Sequence, residues 1–283
     1  MINENIKDTC VLIKESDGIL IGAGAGLTAA AGLNYSDREA FARVFPAWKR
    51  RGFLRQYDLV GYRNWTPLEM WGYWATQLNY VYYSQSTNPL YQKLRSLIGD
   101  RNCFVMTSNV DELFHKNGFD TQRIYSPQGS YGKIQCTIPC CQQAWDMKPF
   151  FDRLNNALDP VEQIIVDEAA VPVCPNCGGT MFPNVRVDGS MVDGHFAPQR
   201  ERLLRWLEDM NGKKLLLLDL GSGYNTPAVI RLPMERITDS FANSALIRVN
   251  MEHADVPRQI AHKSICIKGD ISEFIEQTSQ GGT

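Results

Sequence analysis

The sequence predicts an α/β chain built on a doubly wound parallel sheet. Short apolar runs recur along it, each bounded by small or polar residues, and helical patterns fall between them. The runs occupy residues 18–22, 103–107, 214–219, 245–250 and 264–268. Each is strand-length, largely apolar, and ends in residues such as Gly22, Thr107, Asp219 and Asn250. Strands buried on both faces read this way, and their carboxyl ends open onto a ligand crevice. Helical spacing covers residues 89–98 and 197–207.

Two stretches interrupt the alternation. Residues 36–88 carry a dense set of aromatics, from Phe41 and Phe45 through Trp65 to Tyr83, and read as a helical module. Aromatics at this density more often pack a core than line a substrate cage. Residues 129–189 hold a cluster of cysteines and form a second insert. The tail from Thr278 to Thr283 reads as frayed.

With 283 residues and 44% hydrophobic content the chain can bury a sizeable core. Its 29 basic and 31 acidic residues leave a net charge of −2 and form no basic stripe, so phosphate-backbone binding is not expected. The short cluster Lys49 to Arg51 reads as a solvated helix end. No apolar run reaches the roughly 18–20 residues that cross a bilayer. The first eight residues carry acids and no apolar core, unlike a signal peptide. A cytoplasmic protein without nucleic-acid or membrane partners is the expectation.

Of eight cysteines, five fall between Cys136 and Cys177, which reads as a metal site in a reducing compartment. Cys174-Pro-Asn-Cys177 followed by Gly178-Gly179 is a knuckle signature: the turn aims two thiolates at one ion. Cys136 with either Cys140 or Cys141 would complete a tetrahedral set, Cys136, Cys140, Cys174 and Cys177 being the favoured one. Four thiolates close the coordination sphere, so zinc held there would be structural. Cys10, Cys103 and Cys266 sit among apolar neighbours and read as inert core residues.

The first strand runs into Gly22-Ala-Gly24-Ala25-Gly26-Leu-Thr28-Ala29-Ala-Ala-Gly32. Small residues opening a helix let a pyrophosphate approach the backbone, and helix-start amides favour anions. The spacing departs from the usual G-x-G-x-x-G fingerprint, so a tight strand-to-helix turn is the plain alternative. Ser108, Asn109 and Asp111 follow the second strand, where short polar side chains can hold ribose hydroxyls or a carboxamide, or simply form Asx turns. Gly221, Ser222, Asn250 and Met251 follow later strands, and Asp270 and Ile271 follow the last. In a doubly wound sheet these ends converge on one crevice.

Taken together, these segments resemble the sirtuin family over nearly the whole chain. Gly24 to Gly32 is similar to its G-A-G-x-S-x-x-x-G loop, and Thr107-Ser-Asn-Val-Asp111 looks like T-Q-N-I-D. Gln128-Gly129-Ser130 resembles H-G-S, Cys174 to Pro183 resembles C-x-x-C-G-G-x-x-x-P, and Gly221-Ser222 resembles the family's G-T-S strand end. Asn250 and Gly269-Asp270 match late positions near the adenosine. The resemblance implies a Rossmann-like NAD-binding domain (residues 1–35, 89–128 and 190–283) and a small lobe. That lobe would combine the helical module, 36–88, with the zinc-binding module, 129–189. NAD as co-substrate would lie between them, on the glycine loop, Ser108, Asn109, Asp111, Gln128, Gly221, Ser222, Asn250, Met251, Asp270 and Ile271.

The departures carry the functional expectation. Leu33-Asn34-Tyr35-Ser36-Asp37 replaces the family's I-P-D-F-R, and Asp188-Gly189-Ser190 replaces the F-G-E peptide clamp. Gln128 stands where the family has its catalytic histidine. Glutamine can hydrogen-bond a ribose hydroxyl but cannot take its proton, and losing a general base costs about 10²–10⁴-fold. Deacylation is therefore disfavoured. ADP-ribosyl transfer to an ionised carboxylate needs orientation rather than a base. Asn109 and Gln128 are the expected catalytic positions, with Arg186 orienting the acceptor or touching NAD, unless it is a strand arginine with a surface partner. His195 is the candidate for a relocated base, and a solvated loop histidine is its simpler reading.

The pattern is most similar to the macrodomain-linked (class M) sirtuins. It implies a lipoylated glycine-cleavage-H-like protein as acceptor, with a macrodomain protein and a lipoate ligase as functional partners. An NAD hydrolase, a weak deacylase and a non-catalytic NAD-binding module are the alternatives.

Overall fold

The computed structural model describes residues 2–60 and 62–281. Its main sheet is parallel throughout and contains β1 (Gly18–Ala23), β2 (Cys103–Thr107), β3 (Ile124–Tyr125), β7 (Leu215–Leu220), β8 (Ser244–Asn250) and β9 (Ser264–Lys268). The order across the sheet is β3-β2-β1-β7-β8-β9. This is the doubly wound order, in which the chain fills one side of β1 and then the other. The five apolar runs are the five longer strands, with β1 ending one residue later, β7 shifted along by one residue and β8 starting one residue earlier. The two-residue β3 extends the edge and has no apolar run behind it.

Both faces of the sheet are covered at β1 and β7, which is why these central strands are largely apolar and buried throughout. Ile19, Ile21 and Ala23 of β1 and Leu216, Leu218 and Leu220 of β7 join one core. That core is shared with α1 (Ile2–Glu15), α6 (Pro89–Ile98) and α11 (Ile271–Gly281). Leu20, Leu215 and Leu217 point the other way, into a core formed with α9 (Ala197–Asp209) and α10 (Arg231–Ser240). The alternation is the two-residue period of a strand. The α11 helix continues through Gly281, so the tail is ordered helix where fraying was expected; Gly282 and Thr283 lie outside the described residues.

After β1 come α2 (Ala25–Ala30), α3 (Arg38–Val44), α4 (Pro46–Arg50) and α5 (Pro67–Leu78). Each of the last three starts on a recognisable device. Asp37 caps α3, Pro46 opens α4, and Thr66 with Glu69 forms a capping box on α5. Lys49 and Arg50 do lie in the last turn of α4. Phe41, Phe45, Trp48, Leu59 and Tyr73 form a small separate core here, so most of the aromatics pack as expected.

A short α7 (Leu113–Lys116) follows β2. The second sheet is antiparallel, ordered β5 (Ala144–Asp146), β4 (Gly129–Cys136) and β6 (Met181–Val185), with α8 (Lys148–Asn156) beside it. Among the described residues no helix is long and apolar enough to cross a membrane. Cys10 and Cys103 are half-buried, but Cys266 is exposed on the edge strand β9, which corrects its reading as a core residue.

The ends of β1 and β7 meet backbone to backbone. A Cβ on Gly24 would fall 2.6 Å from Gly221 O, and one on Gly26 would fall 2.7 Å from Gly221 Cα. Gly221 itself has φ +75°, and a Cβ there would lie 2.5 Å from Gly26 Cα. Glycine is thus demanded from both sides. Gly221→Ala is expected to destabilise the fold by about 2 kcal/mol or more, from overpacking plus a left-handed backbone. Urea unfolding measures this; an unchanged midpoint would contradict the contact.

Candidate functional site

The carboxyl ends of β1, β2, β7 and β8 carry the polar residues expected at the crevice, and a chain of hydrogen bonds ties them together. Thr28 Oγ1 donates to Asp111 Oδ2 at 2.7 Å, linking α2 to the loop after β2. The amide of Leu113 donates to Asp111 Oδ1 at 3.0 Å, so the Asx turn also forms. Asn109 Nδ2 donates to Gly24 O at 3.0 Å, and the Asn109 amide donates to Thr107 Oγ1. On the other side Asn250 Nδ2 donates to Ser222 O at 2.9 Å. Ser222 Oγ donates to Asp219 Oδ2 at 2.6 Å. Asp219 and its partner Arg248, at 2.8 Å, are both fully buried.

Two cavities open from this crevice. The smaller, about 200 Å³, is lined by Gly24, Ala25, Gly26, Ser108, Gly221, Ser222, Asn250 and His253, among others. The larger, about 1040 Å³, is lined by Ala25, Gly26, Thr28, Ala29, Ser108, Asn109, Asp111, Gln128 and Arg186. Ala25, Gly26 and Ser108 form a wall common to both. A two-headed ligand bridging that wall, such as a dinucleotide, fits this division. The anion argument for the loop is narrower than the sequence suggests: Gly26 N–H is already bonded to Gly221 O, and Leu27 N–H to Gly24 O.

Several expected residues lie outside both linings. Gly32 has φ +93° and faces a shallow outer depression, of about 800 Å³, beside α6 and α11. Met251 is exposed. Asp270 caps α11 through the amides of Ser272 and Glu273, and Ile271 is buried. His195 is exposed and lies away from the larger cavity's wall.

Gln128 precedes β4 on the wall of the larger cavity, and its carbonyl accepts the Arg186 amide at 2.9 Å. Among the described residues its side chain has no hydrogen-bond partner, which leaves its amide available to a ligand. Arg186 is adjacent, but its guanidinium bonds Asp193 at 2.8 Å and Pro127 O at 3.4 Å. It therefore has the surface partner that the simpler reading anticipated.

Sequence reasoning did not anticipate how far the aromatic module enters this cavity. Tyr57, Trp65, Tyr73 and Trp74 of that module line it, joined by Tyr35 just before the module and Tyr131 of β4. Tyr35 and Tyr131 hydroxyls are 3.1 Å apart. Burial pushes all four phenols above their ordinary pKa, Tyr35 further raised by Tyr131. They stay neutral near physiological pH. Burial also raises Asp111, and both its oxygens already accept hydrogen bonds. Asp188 at the rim is held low by hydrogen bonds from Ser190. No histidine is found among the described residues lining this cavity. The wall can orient a ligand; of its two carboxylates, Asp111 has both oxygens occupied and Asp188, held low, is a weak base.

The cysteine insert folds into one cluster. Sulfurs of Cys136, Cys140, Cys174 and Cys177 all lie within 4.8 Å of one another, with Cys136 to Cys177 at 3.8 Å and Cys140 to Cys174 at 3.6 Å. Zn–S bonds of about 2.3 Å in a tetrahedron require sulfurs at about this separation. Gly178 has φ +71°, as the knuckle turn requires. The four thiols fit a closed zinc site, and the choice between Cys140 and Cys141 resolves to Cys140.

The chain belongs to the Sir2 family, whose model matches residues 24–206. A probable bifunctional ADP-ribose hydrolase/ADP-ribosyltransferase of Fusarium oxysporum is 36% identical over 276 residues. That match covers 93% of this chain but only 46% of the relative, so the chain spans about half of that protein's length. A protein ADP-ribosyltransferase of Staphylococcus aureus is 29% identical, covering 97% of this chain and 88% of the relative. Among solved structures, one of a study of the mechanism and regulation of Sir2 enzymes aligns with a TM-score of 0.60 at 17% identity, over 99% of this chain and 98% of that one. A Sir2 homologue–NAD complex aligns at 0.59 and 17% identity, over 96% and 92%. At that identity the structures establish the shared fold.

Purified chain is expected to carry a single zinc, lost in Cys140→Ser and kept in Cys141→Ser. Metal content measured on the folded proteins checks this, and zinc retained in Cys140→Ser would contradict the assignment. Stripping the metal with a chelator should lower Tm, because metal binding is coupled to folding.

Proposed function

We propose that this chain is an NAD-dependent protein ADP-ribosyltransferase whose acceptor is a carboxylate. The observation that carries the reading is Gln128 on the wall of a cavity whose described lining holds no histidine. Attack by a carboxylate is balanced without a base. An acceptor oxygen bonds to C1′ of the nicotinamide ribose, the C1′–N bond breaks, and its electron pair leaves with neutral nicotinamide. No proton has to move. Sirtuin-type deacylation, in contrast, must deprotonate a ribose hydroxyl, and glutamine cannot do that.

The residues have matching roles in this reading. Asn109, anchored on Gly24 O, and Gln128, with its amide unengaged, orient the nicotinamide ribose. Neutral phenols and tryptophans exclude water around the developing positive charge on the ribose and leave a carboxylate as the natural nucleophile. Arg186 steers an acceptor from the rim, if it exchanges Asp193 for the incoming carboxylate. The small cavity takes the adenosine half against Gly221, Ser222 and Asn250. Zinc on the four cysteines shapes the lobe and takes no part in the chemistry.

The names of the Fusarium and Staphylococcus relatives support a transferase over a deacylase. We assign the chain to the macrodomain-linked group on its sequence pattern. A lipoylated glycine-cleavage-H-like protein is the proposed acceptor, with a macrodomain hydrolase and a lipoate ligase acting alongside. The Fusarium relative's name pairs hydrolase and transferase in one protein, which suits a reversible mark.

Incubation with adenylate-labelled NAD and the lipoylated carrier should add one ADP-ribose to the carrier, read as intact mass. Asn109→Ala and Gln128→Ala should each reduce transfer by about 100-fold, as loss of orientation does. Free ADP-ribose with unmodified carrier would instead make the chain an NAD hydrolase, and intact NAD a binding module. Gln128→His should leave the rate of carboxylate modification without a gain. A rise of about tenfold or more would mean that a proton acceptor had been limiting.

A further inference from the structure

Glu112 follows directly on Asn109-Val110-Asp111 and has φ 57° and ψ 23°. That left-handed conformation is uncommon for a side chain with a Cβ, and glycine or asparagine would take it more readily. Nothing in the local turn requires glutamate. Its half-buried carboxylate is the reason for the residue: Tyr82 donates to Oε2 at 2.6 Å, and Ser130 Oγ donates to Oε1. Each donor belongs to a different part of the molecule. Tyr82 lies in a π-helical turn, Asn79–Tyr83, that extends α5, and Ser130 is the second residue of β4, two after Gln128. Ser130 Oγ also accepts the Gly132 amide at 2.8 Å, and Lys116 Nζ sits 3.6 Å from the centre of the Tyr82 ring. The Tyr131 amide donates to Val110 O at 2.9 Å, so β4 and the loop after β2 are joined on both sides of the same point.

None of Glu112, Tyr82 and Ser130 lines either cavity. They stand behind the wall, between the two segments that present Asn109 and Gln128. We propose that Glu112 is a positioning residue: its carboxylate clamps Ser130 and Tyr82 and thereby fixes Asn109 and Asp111 in register with Gln128 across the larger cavity. The activity readout of this assignment rests on the transferase reading above. The clamp does not reach the Gly221, Ser222 and Asn250 side of the crevice, so it acts on the reacting ribose and leaves the grip on the rest of the dinucleotide in place. A backbone outlier held by specific contacts beside a site is where such a constraint is expected.

The test compares Glu112→Ala, Glu112→Gln and the pair Tyr82→Phe with Ser130→Ala in the full chain. Glutamine keeps the side-chain length and an acceptor oxygen, and the hydroxyls can rotate to meet its amide. For nicotinamide release from NAD, Glu112→Ala should lower kcat by about 10- to 100-fold while KM for NAD stays within about threefold. Glu112→Gln should restore kcat to within about threefold of wild type, a rescue that depends on the contacts and not on bulk. Should Glu112→Ala fold poorly, the Tyr82→Phe, Ser130→Ala pair leaves the Glu112 backbone untouched and should show the same kcat loss. Wild-type kcat in the alanine and paired variants, or a loss confined to KM, would overturn the proposal.

A second readout needs no activity. Hydrogen exchange in the NAD-free protein should rise together at residues 109–113 and 130–132 in Glu112→Ala and return to wild type in Glu112→Gln. Unchanged exchange at both segments would overturn the clamp. A wild-type protein that never releases nicotinamide would defeat the transferase reading, and the exchange result would still decide Glu112.

Discussion

Gly24 and Gly26 at the end of β1 lie directly against Gly221 at the end of β7, with no room for a side chain on either partner. These strands are neighbours at the point where the sheet reverses its direction of growth. In an open α/β sheet the crevice forms there because the connections leave to opposite faces. Here the glycine contact divides that crevice into two rooms with a common wall. The rest follows from it: α2 starts within the contact, Gly26 being its second residue, and its Thr28 reaches Asp111. Asn109 reaches back to Gly24 O. On the other flank the buried Asp219–Arg248 pair carries Ser222. Taking two charges out of water is costly, and the additional bonds from Ser222 and Glu235 help offset that penalty.

The two rooms have different chemistry. Glycines and small side chains, with Ile230 and His253, line the smaller one, which suits shape recognition of a rigid group. Neutral phenols, tryptophans and the carboxamides of Asn34, Asn109, Gln128 and Gln135 line much of the larger. Such a wall orients a reactant, and its carboxylates are Asp111, with both oxygens bonded, and Asp188, held low as a weak base. A positive charge developing on a ribose is tolerated in these surroundings, and water is kept from intercepting it. In the proposed transfer, a nucleophile that arrives already ionised completes the reaction. In the proposed function, Gln128 in place of a histidine changes which second reactant the site can use and leaves the first bond-breaking event available.

Much of the fold was legible because its strands are buried on both faces. A continuous apolar run of strand length, such as Leu215 to Leu218, suits a strand covered from both sides, whereas the two residues of β3 leave no trace in composition. The cysteine spacing announced a metal site, but adjacent thiols at Cys140 and Cys141 could be separated only by the direction each takes in space. Glycines in the loop after β1 were readable as positions needing closeness. Their observed partner is the opposing backbone, with the ligand's share left to the amides around Ala25. Asp270 and Met251 sit near the expected region in sequence, yet capping and exposure account for them without a ligand. The aromatic wall was misjudged for a different reason: Trp65, Tyr73 and Trp74 serve core and cavity at once, and periodicity cannot tell one face of a ring from the other. Glu112 left no signal, since a left-handed backbone at glutamate is settled by contacts that are distant in sequence.

The central claim is that bond cleavage and transfer proceed with no proton in flight at Gln128. The rate of acceptor modification in light and heavy water, at matched viscosity and saturating NAD, tests it most directly. Equal rates are the expected result, because the acceptor carboxylate enters ionised and nicotinamide leaves neutral. A clear slowing in heavy water, abolished by substituting a titratable residue of the larger cavity, would reveal a working general base and contradict the account.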